Sequence, residues 1–233
     1  MKSTVKTIKL TSEERRAAII KAVRQVFSEK GFHGTTTREL AAAAGVSEAL
    51  LFKHFPNKEA LFSAMQLSCC DGPDHERIER LQSLEPSGST LVLMVHFIVS
   101  RCVGGCSMPS EDQAIQNRLM LRSIAEDGDF ARLMLERMTS CWIPKVEQCI
   151  KVAVADGDAD EIPGKPAVRA WFASHLASML TFNHLPENPV VDYGVSREKL
   201  VQQAVGFILR GLGLRNAAIQ RDYNPKALAL FEG

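Results

Sequence analysis

No stretch of this chain is apolar for long enough to cross a bilayer as a helix. The most hydrophobic run, Leu91 to Val99, contains His96 and is closed by Ser100 and Arg101, which suits a buried core helix. The N-terminus lacks the apolar region of a secretory leader, so a cytoplasmic location without a membrane partner is expected. Charge of neither sign dominates: 28 Lys and Arg stand against 27 Asp and Glu, a formal net of +1. Alternating apolar–polar runs typical of strands are missing, as are repeats and low-complexity tracts. No nucleophile–base pair, metal-ligand set or phosphate loop has catalytic spacing, which argues against an all-helical enzyme and calls for neither cofactor nor metal.

Two features resemble sites without completing them. The six cysteines are Cys69, Cys70, Cys102, Cys106, Cys141 and Cys149. Cys102 and Cys106 are one helical turn apart, but the spacing is that of neither a zinc knuckle nor a thioredoxin motif. Reduced, buried thiols are expected. Asp156, Asp158 and Asp160 alternate like the start of a calcium loop, yet Glu161 stands where glycine makes the turn and Ala167 where a bidentate glutamate is needed. The segment reads as an acidic loop between helices.

What is present is helical. At 233 residues there is room for one small and one larger domain. Residues 36–55, TTRELAAAAGVSEALLFKHF, read as two short helices joined by a tight turn. Thr36 and Glu39 have capping-box spacing. Ala41 is small where a second helix must cross closely. Gly45 suits the left-handed residue that ends the first helix, and Ser47 caps the next. Pro56 stops it. Leu40, Val46, Leu51 and Phe55 supply the apolar contacts between the two. A helix held in this way fits the major groove of DNA. Small pieces of this shape also occur in proteins that never touch nucleic acid.

Residues 11–30 precede it as an amphipathic helix with Ile19, Ile20, Val23, Val26 and Phe27 on one face and a Thr11–Glu14 capping box. Asn57 caps a further helix that continues through Leu61, Phe62 and Met65. From Arg15 to Met65, the pieces EKGFHGTTTREL, AAAAGVSEALLFKHF and PNKEAL occur in an order and spacing that closely resemble the DNA-binding domain of TetR-type transcriptional regulators. The resemblance covers roughly the first quarter of the chain. It implies an all-α fold: a basic arm at 1–11, a three-helix helix-turn-helix domain at 12–70 and a helical ligand-binding and dimerisation domain at 71–233.

The resemblance also implies roles for particular residues. Thr36, Thr37 and Ser47 stand at helix starts, where hydroxyls and backbone N–H groups grip phosphates. Glu48, Ala49, Leu50 and Lys53 occupy the exposed part of the recognition helix, with Arg38 on the helix before it. His54 and Lys58 match backbone-contacting positions. Phe52 stands where the family usually has tyrosine, and Leu50 where threonine is common, which changes the operator read more than the binding itself. Glu48 suits a cytosine N4 donor. Residues 1–66 hold 11 Lys and Arg against 6 Asp and Glu, a net +5, while the remainder carries 17 against 21, a net −4. A basic head on an acidic body is what phosphate contact at one end calls for. Lys2, Lys6 and Lys9 read equally as a groove-reaching arm or a solvated terminus.

Beyond residue 74 the periodicity predicts helices at 74–83, 89–104, 110–126, 128–155, 165–184 and 196–213, with a short one near Pro225–Phe231. Val168, Phe172, His175 and Met179 follow a three-and-four spacing, as do Leu200, Ala204, Phe207 and Gly211. Either core packing or a dimer face fits this spacing, and the family resemblance selects a homodimer. Met94, Phe97, Met120, Met134, Met138, Trp142 and Phe172, with His96 and His175 for polar specificity, read as an adaptable pocket lining or as plain core. The expected function is a ligand-responsive regulator, a repressor by default, that binds a near-palindromic stretch of double-stranded operator DNA and is released by a small, largely apolar effector. The alternative is a helical adaptor that has lost sequence-specific DNA binding.

Overall fold

The computed structural model describes residues 10–68, 75–104 and 111–229. Cys69, Cys70, Cys106 and the lysines of the proposed arm fall outside them, as does the side chain of Met138. The fold is all-α: each named element is a helix, and an isolated β-bridge pairs Ala159 with Leu214. Among the described residues no helix is long and apolar enough to cross a membrane.

The chain packs as two units. The first comprises Met1–Gly72 with Arg118–Phe130, the second Pro73–Asn117 with Ala131–Gly233. In the first unit lie α1 (Ser12–Lys30), α2 (Thr37–Ala43), α3 (Glu48–His54) and α4 (Lys58–Ser68). Both capping boxes form, at Thr11–Glu14 and Thr36–Glu39, so each helix start satisfies two otherwise unpaired N–H groups. Gly45 turns the chain at φ 63° between α2 and α3. Ile19, Val23 and Phe27 from α1 close the core with Leu40, Leu51, Phe55 and Leu61, all essentially excluded from solvent. Ala41 is buried as the close crossing demands.

Residues 118–130 join this unit although the sequence groups them with the second region. The end of α7 (Glu111–Ala125) supplies Arg122, whose Nη1 donates to the Glu29 carbonyl at 2.7 Å. That bond joins residues 93 apart, beyond any local pattern.

The second unit contains α5 (His75–Ser83), α6 (Gly88–Gly104), α9 (Ile143–Ala155), α10 (Pro166–Asn183) and α11 (Arg197–Gly211), with the short α12 (Asn216–Asp222) and α13 (Pro225–Ala229). Apolar α6 packs against α9, α10 and α11, and its Leu91, Met94, Val95 and Val99 form the centre of the core. The single helix expected over 128–155 is divided into α8 (Asp129–Arg137), a π-helical turn at Met138–Trp142 and α9. Pro144 accounts for the division. It has no N–H for the preceding turn, and a widened turn lets its ring sit at the start of α9. Helix α12 lies in a tail where only α13 was expected.

The acidic loop has a structural task. Arg221 grips Asp158 through two nitrogens at 3.0 and 2.7 Å, and Arg215 Nε donates to Asp160 at 2.7 Å. Arg221 holds the Asp158 carboxyl below its ordinary range. These pairs tie α12 to the end of α9.

Candidate nucleic-acid interface

Helices α2 and α3 form a helix-turn-helix whose two ends are fixed by different chemistry. At the start of α3, the Ser47 hydroxyl accepts the Leu50 N–H at 3.2 Å. The Thr37 hydroxyl donates to Glu48 Oε2 at 2.8 Å, which ties the first residue of α2 to the first residue of α3. At the far end, Arg16 Nη1 donates to the His54 carbonyl at 2.7 Å and its guanidinium lies 4.1 Å from the Phe55 ring centre. A cation is favoured there, because the helix C-terminus carries unpaired carbonyls.

Ahead of α2, Lys30 donates to Glu39 at 2.5 Å, and Glu39 also accepts from the Thr36 N–H and hydroxyl, each at 2.9 Å. The Lys30 hydrogen bond, and then the Thr36 ones, lower the Glu39 pKa to about 2. The same bond raises that of Lys30.

Of the residues singled out from the sequence, Thr36, Arg38, Ser47, Glu48, Ala49, Phe52 and Lys53 are exposed, while Thr37, Leu50 and His54 are half-buried. Leu51 and Phe55 point inward, so α3 keeps its reading face clear of its packing face. Lys58 is half-buried, and its Nζ donates to the carbonyls of Phe32 and Thr35 at 2.8 and 2.9 Å. Arg16, Lys30 and Phe32 escaped the sequence reading. Arg16 lies 38 residues from its acceptor, and no spacing rule reaches that far.

In the second unit, a small apolar crevice of about 20 Å³, partly open to solvent, is lined by Val95, Val99, Trp142, Val146, Ser174 and Ile208 among others. Among the described residues, Trp142 is the one proposed pocket residue on its wall. Met94, His96 and Phe97 are buried in the core. The His96 ring lies 3.3 Å from the Ser100 hydroxyl and 3.4 Å from that of Tyr223. Met120 falls in the first unit, and the sulfur of half-buried Met134 accepts from Gln116 at 3.9 Å. Phe172 and His175 sit on the outside of α10. Along with them, Val168, Met179, Phe207 and Gly211 are exposed. Leu200 and Ala204 instead pack into the core of their own chain.

The model of the "Bacterial regulatory proteins, tetR family" matches residues 19–65. The HTH-type transcriptional regulator RutR of Escherichia coli is 42% identical over 65 residues, which is 28% of this chain and 30% of RutR. The HTH-type transcriptional regulator UidR of Escherichia coli is 36% identical over 193 residues, 72% of this chain and 92% of UidR. The chain belongs to the TetR family. Whereas the match to RutR spans under a third of that protein, the match to UidR continues well past the helix-turn-helix.

Solved structures show how far the TetR fold extends here. AibR, in a crystal with isovaleryl coenzyme A and operator DNA, superposes with a TM-score of 0.61 at 20% identity, covering 83% of this chain and 97% of AibR. NalD, the secondary repressor of the MexAB-OprM multidrug efflux pump in Pseudomonas aeruginosa, gives 0.58 at 25% identity, covering 88% and 98%. The second unit is thus the helical C-terminal body of a TetR fold.

Proposed function

We propose that this chain is a transcriptional repressor that binds a near-palindromic operator as a homodimer and is released by a small, largely apolar effector. The observation that carries the reading is the clamped α3 helix, fixed at its first residue by Thr37 and at its last by Arg16, with Glu48, Ala49, Phe52 and Lys53 left exposed. Preorganised in this way, its first residues meet base edges while the helix starts at Thr36 and Ser47 meet phosphates.

Four large apolar side chains on the outer faces of α10 and α11 support dimerisation: Val168, Phe172, Met179 and Phe207 are 44–67% exposed. Apolar side chains left in water at helical spacing favour a second copy. The small crevice beside Trp142 supports an apolar effector, because among the described residues its wall is aliphatic and aromatic with the Ser174 hydroxyl. Operator binding and regulation of this kind belong in the cytoplasm.

Selection of the purified protein on genomic fragments, with affinities at two salt concentrations, tests the reading. Enrichment of a near-palindromic site, bound more weakly at high salt, is the expected result. Weak, salt-independent binding without enrichment would favour the adaptor.

A further inference from the structure

We propose that Lys58 is a positioning residue for operator binding, acting through the connection between α1 and α2 and not through a DNA phosphate. The inference rests on the DNA-binding reading above.

Lys58 is the first residue of α4, the end of a helix where a cation is electrostatically disfavoured. Its side chain resolves this by turning to carbonyls. The ammonium donates to Phe32 O at 2.8 Å and to Thr35 O at 2.9 Å, and lies 4.3 Å from the centre of the Phe32 ring. Both acceptors belong to residues 31–36, which link α1 to α2. Main-chain carbonyls in such a link have no helical partner; Phe32 O also accepts the Thr35 N–H, at a long 3.4 Å, and losing the shorter lysine bonds is costly for groups shielded from water.

The link is otherwise tightly held. Thr35 is 2% exposed and its hydroxyl donates to Gly31 O at 2.6 Å. The Phe32 ring packs 5.2 Å from that of Phe62, which packs 4.9 Å from Phe27 in the core. Lys58 therefore connects the start of α4 to a fixed aromatic platform and to the residue preceding the α2 cap. What emerges from the clamped link is Thr36, then Thr37, whose hydroxyl holds Glu48 at the start of α3. The lysine head gives two of its three N–H groups to carbonyls at the base of the reading element and rests against the Phe32 ring, so its position is set by the link whether or not a phosphate lies near.

The two roles separate in salt dependence. A lysine that neutralises a phosphate contributes about 0.9 to the slope of log affinity against log salt, and its loss weakens all sequences alike. A positioning lysine leaves slope and random-sequence affinity unchanged and weakens only the operator. The test uses the full chain with its selected operator and a random-sequence duplex, across a salt series, at a temperature where circular dichroism shows each variant folded. K58M is expected to lose about tenfold or more in operator affinity, the scale of one lost base contact, at wild-type slope. F32L keeps the lysine charge and removes the ring beneath it. It is expected to weaken the operator severalfold, and the double variant less than the product of the two single losses, because they share one contact. F32L also carries the test if K58M fails to fold. A slope shallower by about one in K58M, or full operator affinity in F32L, would overturn the proposal and leave the regulator reading intact. A wild-type chain that selects no DNA would remove both.

Discussion

Arg16 joins the first turns of α1 to the last carbonyl of α3 and covers the Phe55 ring. Replacing it with methionine keeps much of the apolar stem and removes the donor. The exposed bond and the cation–ring contact together should cost about 1 kcal/mol of first-unit stability, read as a lower urea midpoint, with severalfold weaker operator binding. Glu39 makes a pH prediction. Its pKa is lowered from 4.5 to about 2, so the folded state favours the carboxylate. Its contribution is fully present above about 4.5 and is lost as pH falls toward about 2. In E39Q, the fall in melting temperature between pH 5 and pH 2.5 should be smaller than in the wild type. An unchanged acid profile would mean the Lys30–Glu39–Thr36 cluster adds nothing to stability.

Among elements, α10 and α11 each carry apolar side chains on two faces. One packs inward, through Ala170, Ala177 and Leu180 and through Leu200, Ala204 and Leu209. The other presents Phe172 and Phe207 to solvent. Glutamate at both outer positions should leave the helical content and melting of the chain close to wild type. Light scattering should then show a monomer where the wild type shows a dimer, and operator affinity should fall with the lost second half-site. A double variant that remains dimeric would place the interface elsewhere. The three-and-four spacing marks these helices as apolar, but periodicity does not say which neighbour covers a face. The interruption at Met138–Trp142 is similar: Pro144 was visible, but whether the chain stops, kinks or widens there depends on what packs around it.

For the whole molecule, the basic first 66 residues and acidic remainder place phosphate affinity at one end of the sequence. The proposed two-fold dimer would read half-sites about 34–36 Å apart. If an apolar effector enters beside Trp142 and releases DNA, linkage requires that operator DNA weaken effector binding by the same factor, typically about 5–150-fold. Titrating tryptophan fluorescence with an apolar effector that displaces operator, with and without saturating operator, measures both sides of that cycle. Equal effector affinity in the two titrations would rule out the release mechanism.

The fold class, the helix-turn-helix and the family were legible in the order of residues because each is encoded locally. A capping box spans four residues, a turn glycine one, an amphipathic face four or five, and the motifs from Arg15 to Met65 are contiguous. Tertiary structure decided the rest. It turned the head of Lys58 to two carbonyls more than twenty residues away, brought Arg16 to the end of α3 and Arg122 to the end of α1, and directed Leu200 and Ala204 inward while Phe207 stayed outside. Each of these depends on which groups meet after the chain has folded. A long cation takes whichever unpaired oxygen packing leaves within reach, and no sequence period records that distance.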